Sequence, residues 1–326
     1  MEIGIAYDLR SDFPTGGGPD DRLEEYDSVE TVDAVAAALE ACGYSARRLG
    51  GGRALLRELF DRPPDLVFNM AEGDGTRSRE AHVPAACELL DIPYTHSDPL
   101  TLAAALDKAV AKHLIAAAGI ATPRWQVVES VDDEILLDFP VIAKPVAEGS
   151  SIGLRLSSRV SDVEELRPHL ARLLHDYRQP ALVEEFCPGP EFTVGILGTG
   201  AAAKAIGVME IVPRDVPLEH FVYSIEIKRA SEQAVDYCSP PRRPRSLQTQ
   251  LEEIALAAYR VLACRDVARV DFRLGADGEP RFLEANPLPG LQPDWGDIVL
   301  LAERRGIPYE ELIGTIVEHA RERQGL

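Results

Sequence analysis

Two short triplets in the last third of the chain carry the most specific chemistry in this sequence. They are Arg269-Val-Asp271 and Glu284-Ala-Asn286, in two strand-like stretches on either side of a short turn. Side chains two positions apart on a strand share a face, so a hairpin would bring Asp271 close to Glu284 and Asn286. Two carboxylates and an amide oxygen suit a Mg²⁺ ion that bridges nucleotide phosphates. A lone Arg-x-Asp is usually a salt-bridged strand pair, but both triplets on one hairpin predict a metal and phosphate site.

A second feature is a glycine-flanked polar loop, residues 148–153, which follows an apolar strand that ends near Lys144. Backbone N–H groups and hydroxyls in such a loop can point at phosphate oxygens. A lysine at the end of an apolar strand needs an anionic partner. A glycine loop alone predicts phosphate binding only weakly.

Two further features gain meaning only beside the first two. Residues 182–187 form a strand-like stretch that leads into a linker, whose backbone could hydrogen-bond an adenine edge. Glu191 beyond it could hold ribose hydroxyls. Without the other motifs, this stretch would be a pattern of surface acids, and Lys108 at a helix start would be a solvated lysine.

The elements that must position these residues follow from the periodicity of the apolar positions. Residues 1–94 predict a small α/β unit, with strands at 1–7, 65–69 and 92–94 and helices at 29–41 and 83–90. Beyond it we expect helices at 99–105, 108–118, 162–175, 247–263 and from 298 onward. We expect strands at 140–145, 181–185, 191–197, 205–212, 267–274 and 281–285. Residues 216–244 are rich in Pro, Arg and charge, and we expect an irregular lid there.

The composition argues against several classes of function. The 326 residues are enough for two or three domains, and a hydrophobic fraction of 45% is typical of a globular protein. A formal net charge of −20 without a basic stripe argues against nucleic acid and membranes as partners. The five cysteines form no Cys-x-x-Cys pair, so we expect reduced thiols in a cytoplasmic protein. We expect neither a signal peptide nor a membrane span.

Taken in order, the motifs resemble those of the D-alanine–D-alanine ligase family in the ATP-grasp superfamily. The similar stretches are residues 107–108, 141–153, 184–195, 269–271 and 284–290, with 93–95 fitting the end of that family's first domain. The resemblance implies an α/β (α+β) ATP-grasp fold of three domains. These are an N-terminal Rossmann-like domain at 1–97, a central subdomain at 98–188, and a C-terminal subdomain at 189–326 that contains a lid at about 213–244.

The resemblance also implies a chemistry and an assembly. It implies an ADP-forming ligase that activates a carboxylate as an acyl phosphate and couples it to an amine, forming an amide or peptide bond. The cofactors would be ATP and two Mg²⁺ ions, for which Mn²⁺ could substitute. The partners would be small carboxylate and amine substrates, with amino acids favoured, and a second copy of the chain in a homodimer.

Roles for individual residues follow from the resemblance alone. ATP would be bound by Lys108, Lys144, Glu148, Ser150, Ser151, Glu184, Glu185, Phe186, Cys187, Glu191, Lys228, Phe272 and Leu283. The metal ligands would be Asp271, Glu284 and Asn286. Catalysis would rest on Arg269 and the Gly290 N–H at the oxyanion, and on Ser150 and Lys228 near the transferred phosphoryl group.

Three positions depart from the family pattern where the substrates bind. Tyr26 stands where the family has a glutamate that anchors an ammonium group, and Arg229 stands where its lid usually has a tyrosine. Trp295 lies near the place of a serine that binds the second substrate. We therefore expect Arg229 to close the lid by pairing with Glu25 or Asp27, and Trp295 to reshape the second-substrate pocket.

These departures favour a ligase with another acid and amine over a genuine D-alanine–D-alanine ligase of peptidoglycan precursor synthesis, which remains the alternative. A non-catalytic nucleotide-binding protein is the alternative from another class, and a carboxyphosphate-forming ATP-grasp enzyme is a further one. The complete set of metal and phosphate residues argues against the non-catalytic protein, and no biotin-accepting or bicarbonate-specific segment favours the carboxyphosphate chemistry.

Overall fold

A three-stranded parallel sheet opens the fold of this protein, for which a computed structural model describes residues 1–14 and 16–326. Its strands are β1 (Glu2–Ala6), β2 (Ser45–Gly50) and β3 (Leu66–Asn69), in the order β2-β1-β3. Helices α1 (Val29–Ala41), α2 (Gly52–Asp61) and α3 (His82–Leu89) accompany them. The Ser28 side chain caps α1 by accepting from the Thr31 N–H, and Gly43 follows the helix with φ of 86°.

The sequence pattern missed β2 and α2. Strand β2 lies at the edge of the sheet and is polar, so it lacks the apolar run of a buried strand. The short strand expected at 92–94 is only a single bridge between Val67 and Tyr94.

The middle of the chain adds helices α4 (Pro99–Leu106) and α5 (Lys108–Ala117) and a four-stranded sheet. Its strands are β4 (Trp125–Val128), β5 (Val141–Pro145), β6 (Arg159–Val160) and β7 (Ala181–Glu185), in the order β4-β7-β5-β6. Every pairing is antiparallel. Helix α6 (Val163–Tyr177) buries Leu166, Leu170 and Leu173 against this sheet. These apolar positions recur every three or four residues, as expected for one face of a helix.

The last third of the chain builds a five-stranded antiparallel sheet. Its strands are β8 (Glu191–Leu197), β9 (Lys204–Pro213), β10 (Val235–Cys238), β11 (Val267–Leu274) and β12 (Pro280–Asn286), in the order β10-β9-β8-β11-β12. Between β9 and β10 the chain forms α7 (Ile225–Arg229) and α8 (Ser231–Ala234), and α9 (Arg245–Val261) follows β10. Helices α10 (Asp297–Arg304) and α11 (Tyr309–Gln324) end the chain and share one apolar core with β1 and α1.

The segment expected to be irregular is in fact partly ordered. Within residues 216–244 the Ser224 side chain caps α7 by accepting from the Ile227 N–H, and β10 extends the sheet by pairing with β9. Its helices are only one to two turns long, so no apolar periodicity marks them in the sequence.

Two further expectations concern the cysteines and membrane-spanning helices. All five cysteines are free thiols in the structure. In residues 1–14 and 16–326, no helix has both the length and the apolar character needed to cross a bilayer.

Candidate active site

The hairpin of β11 and β12 forms with the register that brings the two triplets together. Asp271 lies opposite Glu284, and Arg269 lies opposite Asn286. The Thr193 hydroxyl on β8 donates to Asp271 Oδ1 at 2.8 Å, and Asn286 Nδ2 donates to Asp271 Oδ2 at 3.2 Å. The side-chain oxygens of this set therefore converge on one face of the sheet.

A bulge in this hairpin decides which neighbours join that face. The pairing register shifts after Asp271, because Phe272 pairs with Phe282 and Leu283 has no partner on β11. As a result, Leu283 and Glu284 both line the cleft between this hairpin and strands β5 and β7. The Phe272 side chain points the other way, is fully buried and packs edge-to-face on Phe282 at 6.2 Å between ring centroids. The expectation that Phe272 contributes a side chain to the nucleotide site is thus not met, because the pleat gives the cleft side to residues 269, 271 and 273.

Cations balance the hairpin carboxylates. Arg269 Nη2 lies 3.2 Å from Asp271 Oδ2 and 3.9 Å from Glu284 Oε1, and Lys108 Nζ lies 3.3 Å from Glu284 Oε2. Burial opposes the charged form of Glu284, but the lysines and arginine around it outweigh burial and lower its pKa. At Asp271 burial prevails and raises the pKa.

The donor set of Asp271, Glu284 and Asn286 suits a hard divalent cation. Its donors are two carboxylates and one amide, and oxygen ligands of this kind are those that Mg²⁺ accepts. Asn286 would turn its amide so that Oδ1 rather than Nδ2 faces the ion. Among residues 1–14 and 16–326, no three His, Cys, Asp or Glu side chains cluster closely enough to hold a metal, so this site needs the Asn286 amide as its third ligand.

The first cleft lies between β5, β7 and the hairpin and encloses about 840 Å³ of space outside the protein atoms. Such a volume is ordinary for a small-molecule site. The predicted nucleotide residues that line it are Lys108, Lys144, Glu148, Ser151, Glu184, Glu185, Phe186, Cys187, Glu191, Lys228 and Leu283, together with Arg269, Asp271 and Glu284 of the hairpin.

Two lysines share one buried carboxylate at the floor of this cleft. Lys144 Nζ lies 2.6 Å from Glu184 Oε1, and Lys112 Nζ lies 2.7 Å from Glu184 Oε2. Burial opposes ionisation of Glu184, yet both lysines overcome it and lower its pKa to about 2. Lys112 was missed by the sequence analysis. Its spacing of four residues from Lys108 on α5, which places both on one helix face, could have revealed it.

The glycine-flanked loop is tied to the lid. Ser150 and Ser151 both take left-handed backbone conformations, with φ of 47° and 59°. The Ser151 hydroxyl donates to the Tyr223 carbonyl at 3.1 Å, and the Ile225 N–H donates to the Leu154 carbonyl at 3.1 Å. The loop and the start of α7 therefore sit in contact over the cleft.

The lid also contacts the N-terminal unit, but through different acids than expected. Arg229 Nη1 pairs with Asp20 Oδ2 at 2.8 Å, and its Nε donates to Glu24 Oε1 at 2.9 Å. The expectation of a pair with Glu25 or Asp27 was wrong. Glu25 is already engaged, since buried Arg79 donates to both of its oxygens at 3.1 and 2.8 Å.

A second cleft adjoins the first and contains the substrate-site candidates. Tyr26, Ser150, Arg229, Gly290 and Trp295 line it. The Tyr26 hydroxyl donates to the Gly73 carbonyl at 3.2 Å, and its ring stacks on Phe13 at 4.1 Å. Trp295 lies at the rim with 39% of its surface exposed.

Lys228 and Arg269 line both clefts. Burial and the neighbouring Arg269 charge together lower the pKa of Lys228 to about 8, against the opposing effect of nearby carboxylates. Arg269 is held by Asp297 at the start of α10, which accepts from its Nη1. Asp297 was missed by sequence reasoning, and no local pattern marks it.

Comparison with known proteins identifies a family and several relatives that this chain resembles in sequence. Residues 114–318 match the family described as "D-ala D-ala ligase C-terminus". The chain is 34% identical over 300 residues to the D-alanine–D-alanine ligase of Aquifex aeolicus, covering 89% of this chain and 94% of that one. It is 36% identical over 305 residues to an uncharacterized protein, y4sG, of Sinorhizobium fredii, covering 90% and 88%.

A solved structure shares the fold over the whole chain. The D-alanine–D-alanine ligase from Bacillus anthracis, solved as a complex with ATP, superposes with a TM-score of 0.76 at 21% sequence identity. The superposition covers 100% of this chain and 99% of the other.

Proposed function

Because this chain belongs to the D-alanine–D-alanine ligase family of ATP-grasp enzymes, we propose that it joins an amino acid to an amine through an acyl phosphate. As a member of that family it is an ATP-dependent, ADP-forming ligase. One observation carries the finer proposal: Lys228 and Arg269 line both the first cleft, here called the nucleotide cleft, and the second cleft beside it. Two buried cations at this junction suit the point where a phosphoryl group leaves ATP for a carboxylate.

The first cleft would hold ATP. Lys108 and Lys144 would contact the phosphates, and Ser150 and Ser151 would close over them. Residues 184–187 would meet the adenine, and Glu191, whose burial raises its pKa, would hold the ribose hydroxyls. The positions of these residues around one cleft support the assignment.

The hairpin oxygens of Asp271, Glu284 and Asn286 would hold Mg²⁺. The metal would neutralise phosphate charge while ATP is bound. The remaining chemistry belongs to groups of the chain itself. Arg269 and the Gly290 N–H would face the oxyanion that forms when the amine attacks the acyl carbon.

The overall reaction would proceed in two steps. A carboxylate oxygen of the first substrate attacks the γ-phosphorus, and ADP leaves. The amine of the second substrate then attacks the acyl carbon, and phosphate leaves. The lid contacts through Ser151 and Arg229 would exclude water, which would otherwise hydrolyse the acyl phosphate.

We propose that the substrates differ from a pair of D-alanines. The Tyr26 hydroxyl donates to a backbone carbonyl, and this side chain has no carboxylate that could bind an ammonium group. Trp295 adds a large ring at the rim of the second cleft. A genuine D-alanine–D-alanine ligase is the second candidate, and the names of the relatives favour it.

An ADP-release assay with product masses tests this proposal. It would include D-alanine alone and a panel of amino acids paired with amines. We expect ADP and an amide product from a pair other than two D-alanines, and only background release from an Arg269→Met variant. Efficient D-alanyl-D-alanine formation would refute the changed substrate. A lack of ADP release with every pair would refute the ligase reaction.

We also propose the three-domain division at 97/98 and 188/189, and a homodimer. Each of the three sheets falls within one of the three proposed domains. Limited proteolysis should cut near these boundaries, and light scattering should give twice the mass of one chain. A monomer at working concentration would refute the dimer.

A further inference from the structure

Three carboxylates of the N-terminal unit face the second cleft without partners. They are Asp27, Glu72 and Glu80, here called the acidic wall. Within residues 1–14 and 16–326, no cationic nitrogen lies within 4.0 Å of their carboxylate oxygens, and no donor forms a hydrogen bond of 3.5 Å or less with them. Only 8% of the surface of Glu80 is exposed, and this residue lines two neighbouring pockets. A buried carboxylate aimed into a cleft needs a cation or a donor there.

The cations nearest to the acidic wall are already engaged. Arg79 donates to Glu25 from Nε and Nη2, to Glu148 Oε2 at 3.1 Å from Nη2, and to the Ala147 carbonyl at 2.9 Å from Nη1. Arg229 pairs with Asp20 and Glu24, as described above. Arg10 lies 3.5 Å from Glu24. Lys108, whose charge also acts on Glu80, pairs with Glu284 at 3.3 Å. As far as residues 1–14 and 16–326 show, these neighbouring cations thus already have anionic partners other than the acidic wall.

The mutual proximity of these acids makes the imbalance costly. Burial raises the pKa of Glu72, and the nearby charges of Glu80 and Glu25 raise it further. Burial raises the pKa of Glu80 to about 8, against the opposing effect of Arg79. Burial likewise raises the pKa of Asp27 to about 8. A cationic ligand placed among them would relieve both the burial and the repulsion.

The same cleft is also lined by cations. Lys228 and Arg269 line it together with Gly290, where the reacting carboxylate is proposed to bind. A cleft lined by both cations and carboxylates fits an amino acid. A single ammonium group needs one carboxylate, and the acidic wall presents three.

We propose that the acid activated by this enzyme is a basic amino acid, with an amine or guanidinium in its side chain as well as its α-amino group. Its carboxylate faces Arg269 and Lys228, and its two cationic groups face Asp27, Glu72 and Glu80. This rests on the proposed ligase function and names the substrate class of the same site.

The test activates one substrate at a time. Hydroxylamine replaces the amine and traps the acyl phosphate as a hydroxamate, with ADP release measured in parallel. Lysine, ornithine and arginine are compared with the neutral analogues norleucine, norvaline and citrulline, each in both configurations. We expect kcat/KM for the basic member of a pair to exceed that of its neutral analogue by at least about 50-fold, because the neutral analogue leaves buried polar groups without a partner.

The outcomes separate this inference from the ligase function. Neutral analogues used as well as basic amino acids would overturn the basic substrate and leave the ligase standing. Absence of hydroxamate with every amino acid would overturn both.

Isosteric variants locate the effect at the acidic wall. Glu80→Gln and Glu72→Gln should each bring the ratio of basic to neutral kcat/KM at least tenfold closer to one. Glu164→Gln, the same change at an exposed position of α6, should leave that ratio unchanged. An unchanged ratio in folded Glu80→Gln and Glu72→Gln proteins would overturn the proposal. If either variant fails to fold, the wild-type comparison of analogues decides alone.

Discussion

Glu184 Oε1 lies 2.6 Å from Lys144 Nζ at the floor of the nucleotide cleft, and both side chains are buried. Lys112 holds the other oxygen of the same carboxylate at 2.7 Å. Each ion is paired, so the cleft keeps a lysine in place without leaving a lone charge in the protein interior.

Removing this shared charge should destabilise the protein. We expect Glu184→Gln to lower the free energy of unfolding by about 3–5 kcal/mol, because two buried lysines lose their counter-ion. Urea unfolding measures the change. The matched variant Glu185→Gln disrupts a more exposed pair with Arg124 and should cost less than about 1 kcal/mol. Equal stability of the two variants would contradict the buried pair.

The contact between Arg269 and Asp297 should act on the rate rather than on nucleotide binding. Replacing an oxyanion donor typically lowers kcat by about 10²–10³-fold, and we expect this for Arg269→Met. Asp297→Asn should lower kcat less, through a misplaced Arg269, and should leave KM for ATP within about twofold. Steady-state ADP release gives both constants. Asp236→Asn, which affects an exposed pair with Arg214, is the control. A rise in KM for ATP with unchanged kcat would contradict a positioning role for Asp297.

The pairs of Arg229 with Asp20 and Glu24 should hold the lid on the N-terminal unit. We expect Arg229→Ala to leave the free energy of unfolding within about 1 kcal/mol, because these pairs are partly exposed. Amide hydrogen exchange in α7 and α8 should become faster, since their tie to the rest of the molecule is lost. Arg214→Ala removes a pair internal to the same segment and should not speed exchange in α7. Unchanged exchange in Arg229→Ala would show that the lid is held by other contacts.

A buried histidine should make stability depend on mildly acidic pH. His169 lies against the Ala143 carbonyl, and burial lowers its pKa to about 4. An unfolded histidine has a pKa of about 6.5, so the unfolded chain binds the proton more readily. The contribution is complete above about pH 6.5 and is lost as pH falls toward 4, at about 1.4 kcal/mol per pH unit.

His169→Gln should reduce the slope of unfolding free energy against pH by up to about 1.4 kcal/mol per pH unit between about 6.5 and 4. Part of the slope should remain, because burial also lowers the pKa of His96, to about 3. The exposed His175 offers a matched control, and His175→Gln should leave that slope unchanged. Thermal or urea unfolding across this range measures it. An unaltered slope in His169→Gln would contradict the neutral buried histidine.

Local pattern was enough for several parts of the fold and of the site. Alternation along two strands predicted that Arg269, Asp271, Glu284 and Asn286 would share a face, and the hairpin has that register. The spacing of apolar residues predicted a helix at 29–41, and α1 has those bounds. The polar edge strand β2 was missed because an edge strand need not bury either face.

Partners that are distant in sequence could not be predicted in the same way. Pairing of Arg229 with Asp20 and Glu24, rather than with Glu25, depends on Arg79 having taken Glu25. The exposure of both Leu283 and Glu284 to the cleft depends on the bulge in β12, which simple alternation does not predict.

The reaction class could be inferred from residue order, because the motifs together resemble those of one ligase family. Local backbone geometry places their metal and phosphate residues on shared faces. The distribution of charge over the substrate cleft depends on the tertiary structure. Asp27 comes from one segment and Glu72 and Glu80 from another, and their convergence on one cleft without a salt bridge among the described residues appears only when those segments pack together. Electrostatic interactions depend on distance and burial, and neither can be obtained from residue order.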